Sequence, residues 1–184
     1  MQIRDTGLRF SPVTIILHWI AAAMVVTLLW FGLTAGRLDV GAEKVKLIWL
    51  HSSLGVGIFV ISVYRLVARS RFHHPLPIGA ISPIEVIMSR AVAMGLIVAT
   101  VVLPVVGWIA MSAGGGPVTF FDIVTLPSPV DRNPDVEGAA KFLHRVGAYA
   151  FAMGLALHVF GAIKQHFILR NDTLRRMLGK HVEL

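Results

Sequence analysis

Four stretches of this 184-residue chain stay apolar for about the thickness of a bilayer core, with polar connections between them. They cover Val13–Thr34, Leu47–Val67, Ala91–Met111 and Phe142–Ile163, the last most apolar from Val146 onward. Crossing hydrocarbon takes about 20 residues of helix, because a helix satisfies its backbone groups without water. None of the four stretches contains an Asp or Glu, and the third carries no charge at all. Pro104 followed by Gly107 predicts a kink near one end of it. Trp19, Trp30, Trp49 and Trp108 fall near span ends, where amphipathic rings settle at the headgroup level. The expected fold is all-α, an integral membrane four-helix transmembrane bundle forming one domain over residues 1–184.

The connections are unequal. Residues 35–46 make a short loop, and residues 68–90 one rich in His, Pro and Arg. Residues 112–141 are the longest, with Gly114, Gly115 and Gly116 followed by Pro117, Pro127, Pro129 and Pro134. That composition predicts an irregular lid with one short helix.

Composition sharpens this picture. Hydrophobic residues make up 55% of the chain and charged residues 15%, against about 25% charged in soluble domains. The formal net charge is +7, but the basic residues flank apolar runs, so they orient helices and do not form a nucleic-acid surface. With the N-terminus cytoplasmic, the inner side carries 11 basic and 4 acidic residues and the outer side 6 of each. Both termini are therefore expected in the cytoplasm. The first run is longer than a signal-peptide core and holds His18, so it is expected to stay as a span. There is no cysteine, which excludes disulfides, iron–sulfur clusters, thiolate zinc sites and covalent c-type haem attachment.

Imidazoles are rare at membrane depth because an unpaired polar ring is costly there. His18, His51, His144 and His158 nonetheless lie in or at the mouths of these stretches. His144 and His158 are fourteen residues apart, nearly on one helix face and about 21 Å apart along its axis. The topology sorts the four by depth, His18 with His158 on the inner side and His51 with His144 on the outer. Opposed imidazoles from two helices can clamp an iron porphyrin, so the expectation is two b-type haems, one per leaflet.

Arg65 follows His51 by fourteen residues, placed to pair the inner haem's propionates, although ordinary snorkelling toward the inner surface serves equally well. Gly32, fourteen residues after His18, is positioned to give the outer porphyrin room. Gly55, Gly147, Gly154 and Gly161 fit either haem clearance or close helix packing. Lys44, Lys46, Lys141 and Arg145 fall near the outer haem by depth, and Arg9 and Lys164 near the inner one. His73, His74 and His181 are expected in solvent, and His166 at the inner interface, within reach of a quinone or a propionate. The competing reading is a haem-free transporter or scaffold using these histidines, which would want an acid among them.

The segments "SPVTIILHW", "LHSSLGVGIFVISVYRL", "FLHRVGAYAFAMGLALH" and "IKQHFILRNDTLRRMLGK" resemble the bacterial cytochrome b561 family, itself similar to the cytochrome b subunits of nickel–iron hydrogenases. The likeness runs from about Ser11 to Lys180 and extends to the Gly/Pro-rich loop "SAGGGPVTFFD". It implies a bundle enclosing two haem b groups, with His18, His51, His144 and His158 as axial ligands. It also implies electron exchange between membrane quinone, ubiquinone being the candidate, and a periplasmic-side donor or acceptor. One branch of the family oxidises superoxide. The outer basic residues Lys44, Lys46, Lys141 and Arg145 suit an anion locally, but the six outer acids remove any global attraction.

Overall fold

The computed structural model describes residue 5 and residues 10–71 and 82–179. Four long helices, α1 (Pro12–Arg37), α2 (Ala42–Arg71), α3 (Pro83–Ala113) and α4 (Pro134–Ile163), are each long and apolar enough to cross a membrane. A π-helical turn, Lys164–Ile168, extends α4, and a short α5 (Thr173–Met177) follows. The α3–α4 connection holds a two-stranded antiparallel hairpin, β1 (Val118–Phe120) and β2 (Val124–Leu126), paired Val118↔Leu126, Thr119↔Thr125 and Phe120↔Val124. The short helix expected in this connection is replaced by that hairpin. Two runs of three residues are too short for alternation to announce a strand.

The helices outrun the apolar stretches because hydropathy stops at the membrane edge while backbone hydrogen bonding continues to a capping signal. Three of them begin at a capping residue followed by proline, whose missing N–H is no loss at the first helical position. The Ser11 hydroxyl accepts the Thr14 N–H at 3.1 Å, and the Asp5 carboxylate accepts the Ser11 N–H at 2.7 Å and the Thr14 hydroxyl at 2.8 Å. The Ser82 hydroxyl accepts the Glu85 N–H. The Asn133 side-chain oxygen accepts from both Asp135 and Val136, in a first turn whose acids Asp135 and Glu137 suit the helix dipole. Asn133→Ala should cost about 1 kcal/mol, read as a lowered apparent Tm of the purified protein in detergent. An unchanged Tm would mean that water or another group caps α4 equally well.

Close helix packing runs α1 to α2, α2 to α3 and α3 to α4, and β1 lies against α2. Neither α1–α4 nor α2–α4 packs at that level among the described residues. Where the bundle does close, all four helices contribute. Ala21, Val25, Ile58 and Phe151 are buried together, with Leu28, Leu96, Leu103 and Leu155 packed around them. Phe151 is seven residues from both His144 and His158, and Ile58 seven from both His51 and Arg65. The apolar core is thus a single middle layer, with open seams on either side of it. Outward faces stay apolar and exposed, as at Val26, Trp30, Val60 and Phe160, which is the surface a bilayer covers. At the inner end the tail returns to α1: the Trp19 indole donates to the Met177 carbonyl at 2.9 Å, and Arg176 stacks over Phe10.

Candidate functional site

The two open seams contain the histidines. In the first, His18 of α1 faces His158 of α4 with ring centroids 6.2 Å apart. In the second, His51 of α2 faces His144 of α4 with centroids 5.9 Å apart. An imidazole nitrogen lies about 2 Å from a bound first-row metal ion and about 1.1 Å from its own centroid, so one ion shared by two opposed imidazoles separates their centroids by about 6.3 Å. Both pairs fall near that spacing, and each bridges two helices, α1 with α4 and α2 with α4, that do not pack closely on one another among the described residues. Among the described residues no three His, Cys, Asp or Glu side chains converge on one point. A metal here would have two protein ligands and four positions left for something else.

The outer pair is held by a repeated backbone device. The His51 Nδ1–H donates to the Leu28 carbonyl at 3.0 Å, and the His144 Nδ1–H to the Leu103 carbonyl at 3.0 Å. A carbonyl only accepts, so Nδ1 carries the proton in both rings and the Nε2 lone pair is left for a metal. Each carbonyl is followed four residues later by glycine, Gly32 on α1 and Gly107 on α3. A Cβ at Gly32 would stand 3.2 Å from His51 Cε1, and one at Gly107 would stand 3.1 Å from His144 Cε1 and 3.2 Å from its Nδ1. The room at Gly32 therefore admits the His51 ring itself.

Gly147 and Gly154 face Leu103 and Leu96 of α3, the first so closely that a Cβ would lie 2.6 Å from Leu103 Cδ2. For these two, close helix packing is what the missing side chain serves. Gly55 and Gly161 open onto free space.

The inner pair is built differently. An Nη2–H of Arg65 donates to His18 Nδ1 at 3.3 Å, so α2 contributes a cation at the same depth. Arg65 has no carboxylate partner among the described residues.

The other basic residues singled out from the sequence, where the structure describes them, either have other partners or are exposed. Lys44 donates to the Leu38 carbonyl at 2.9 Å, Lys141 pairs with Glu137, and Lys164 pairs with Glu85 at 2.9 Å. Lys46 and Arg145 are exposed. Arg9, His73, His74 and His181 lie outside the described residues. Among the described residues, three buried polar atoms have no hydrogen-bond partner: Ser62 Oγ, Trp108 Nε1 and His166 Nδ1. Of these, only His166 had a signal in the sequence, its place in the tail motif. Trp108 read there as a belt aromatic, and Ser62 carried no signal.

The family model of prokaryotic cytochrome b561 matches residues 9–180. The chain belongs to the prokaryotic cytochrome b561 family. It is similar to cytochrome b561 homolog 2 of Escherichia coli strain K12, with 28% identity over 98% of this chain and 96% of that protein. It is also similar to the probable superoxide oxidase CybB of Yersinia pestis (22% identity, 94% of this chain and 97% of that protein). Cytochrome b561 homolog 1 of Escherichia coli strain K12 matches at 24% identity over 94% of this chain and 98% of that protein. This b561 cytochrome is accordingly a membrane protein that binds haem b and transfers electrons. The paired imidazoles are chemically suited to that cofactor, since a porphyrin supplies the four in-plane ligands that the side chains do not.

Proposed function

We propose that the chain is a dihaem cytochrome that carries single electrons across the bilayer, one haem b held by His18 with His158 and the other by His51 with His144. The observation that carries this reading is the pair of opposed imidazoles in each seam, at 6.2 and 5.9 Å, on either side of one apolar layer. The haem iron supplies a reversible one-electron couple. Two imidazoles at each site would leave no open coordination position on a bound haem iron, which suits electron transfer over oxygen activation. Hydrogen bonds to the Leu28 and Leu103 carbonyls hold the outer rings in the ligating tautomer. The core layer of Val25, Ile58 and Phe151 keeps the space between the two sites dry.

Arg65 is the natural propionate partner at the inner site: its guanidinium has no acid there among the described residues, and moving from His18 Nδ1 to a propionate would let that ring carry its proton on Nδ1 and present Nε2. Arg9 and Lys164 are assigned to the same side by depth, and Lys44, Lys46, Lys141 and Arg145 to the outer haem. Arg65→Gln should lower the inner haem's midpoint potential by about 50–100 mV, because a nearby cation favours the reduced, less positive state. A spectroelectrochemical titration checks this, and an unshifted inner wave would place Arg65 away from the haem.

The charge asymmetry of the loops puts both termini in the cytoplasm, with His51 and His144 toward the periplasm. The electron route then joins the quinone pool, with ubiquinone the candidate, to a periplasmic-side donor or acceptor. Superoxide is the candidate donor by likeness to the Yersinia pestis protein, with Lys46 and Arg145 among the exposed outer cations. A transporter reading is weaker, because neither pair has a third ligand or an acid. Vesicles loaded with ferricyanide test the transfer itself: dithionite added outside should reduce the trapped oxidant only when the haem-loaded protein spans the membrane. A rate equal to that of protein-free vesicles would contradict it.

A further inference from the structure

The α3–α4 hairpin does not sit above the bundle. It descends beside α2, on the side of that helix away from His51. Ser53 lies six residues inside the apolar stretch that starts at Leu47, about 9 Å along the helix, and is fully buried. Its hydroxyl donates to the Thr119 carbonyl at 3.0 Å and accepts the Phe121 N–H at 3.1 Å. One turn deeper, the Phe120 ring lies beside Gly57, its Cε2 at ordinary contact distance, 3.7 Å, from where a Cβ would stand, with Met24 Cε nearer at 3.1 Å.

The turn that follows is strained. Phe121 and Asp122 both take positive φ, 47° and 57°, and the Ile123 N–H closes the turn onto the Phe120 carbonyl at 3.0 Å. What holds it is again α2: the Trp49 indole donates to Asp122 Oδ1 at 2.9 Å, with the Thr119 hydroxyl on the same oxygen at 3.0 Å. Trp49 also meets the Phe121 ring edge-on.

Thr119 and Asp122 bond toward α2, and although Asp122 and Thr125 stay exposed, most of the outward side of the tip is apolar. Ile123 is 76% exposed, Val124 55% and Phe121 38%. Non-helical backbone survives at membrane depth only where protein or water satisfies it, and here Ser53 and β2 do so for β1. We propose that this hairpin is a membrane-inserted element. Phe121, Ile123 and Val124 rest among the acyl chains just below the headgroups of the leaflet on the α3–α4 side, continuous with the lipid-facing surface of the helices. Asp122, beside the interfacial Trp49, marks its polar limit. The inference needs the bilayer but not the haem ligation.

The absence of cysteine in the chain makes single labels unambiguous. In phosphatidylcholine vesicles, Ile123→Cys should react with a charged, membrane-impermeant maleimide more than about 5-fold more slowly than Val40→Cys. Val40 is 93% exposed in the α1–α2 connection on the same side, so mixed orientation affects both variants equally. A bimane label at Ile123→Cys should be quenched by nitroxides near the lipid headgroup more than by nitroxides at the acyl terminus. Adding Ser53→Ala should release the tip and raise the Ile123→Cys rate toward that of Val40→Cys, with haem content unchanged. A smaller rate difference would place the tip in water and overturn the proposal. A slow rate without lipid quenching would overturn it as well, by showing protein, such as a second copy, over the tip. An unchanged rate after Ser53→Ala would overturn the clamp.

Discussion

Replacing His51 by alanine is expected to remove one haem and leave the other. Loss of either axial imidazole takes away half of the protein's hold on that iron, whereas the second seam shares no ligand with the first. Haem per chain should fall from about two to about one in His51→Ala, and likewise in His18→Ala. Each variant should retain a different redox wave, because the sites differ in charge: Arg65 stands at the His18 pair and backbone carbonyls at the other. The remaining haem reports that the fold survives, which matters because lost cofactor binding also lowers stability. Loss of both haems from a folded single variant would mean that the pairs are not independent. Loss of neither would remove that histidine from the ligand set.

The second large effect needs no change to any ligand. Gly107→Val places a branched side chain against His144, where even a Cβ stands 3.1 Å from Cε1. The α3 backbone cannot withdraw without breaking its own ladder, so the imidazole must turn away from the Leu103 carbonyl and lose its alignment. Outer haem occupancy should drop below about half, with the inner redox wave intact. Gly107→Ala should do less, as a neighbour can give by a few tenths of an ångström. Gly95→Ala and Gly138→Ala, at exposed positions with nothing near a new Cβ, should leave haem content alone, so they separate this steric cause from a general cost of altering a helical glycine. Haem-to-protein absorbance ratios of the four purified variants decide the matter. Full outer occupancy in Gly107→Val would mean that the ring does not use this seat when the cofactor is bound.

Much of the fold was legible because the bilayer imposes one rule, about 20 apolar residues per span, and the chain obeys it four times. The depth pairing of His18 with His158 and of His51 with His144 followed from topology alone, and those rings do face one another. Helix ends were less legible. Ala42, Pro83 and Pro134 begin helices five to eight residues before the apolar stretches at Leu47, Ala91 and Phe142. Hydropathy reports where lipid begins, and capping residues report where hydrogen bonding does. The carbonyl seats at Leu28 and Leu103 left almost no trace, because backbone acceptors have no residue type and only the glycine four positions on betrays them. Lys44, Lys141 and Lys164 could be placed in the sequence only by depth, because the partners they have, the Leu38 carbonyl, Glu137 and Glu85, depend on side-chain reach. The hairpin was hidden for a similar reason: Ser53 and Trp49 fix it from another helix, and β1 and β2 alone are too short to specify a register.

The most direct test of the central claim is the haem b content of the purified protein, set against quantitative amino-acid analysis of the same sample. The account predicts two haems per chain, seen as two components in the reduced-minus-oxidised spectrum and redox titration. One haem per chain in fully loaded protein would contradict the paired-site reading and leave one histidine pair without a cofactor.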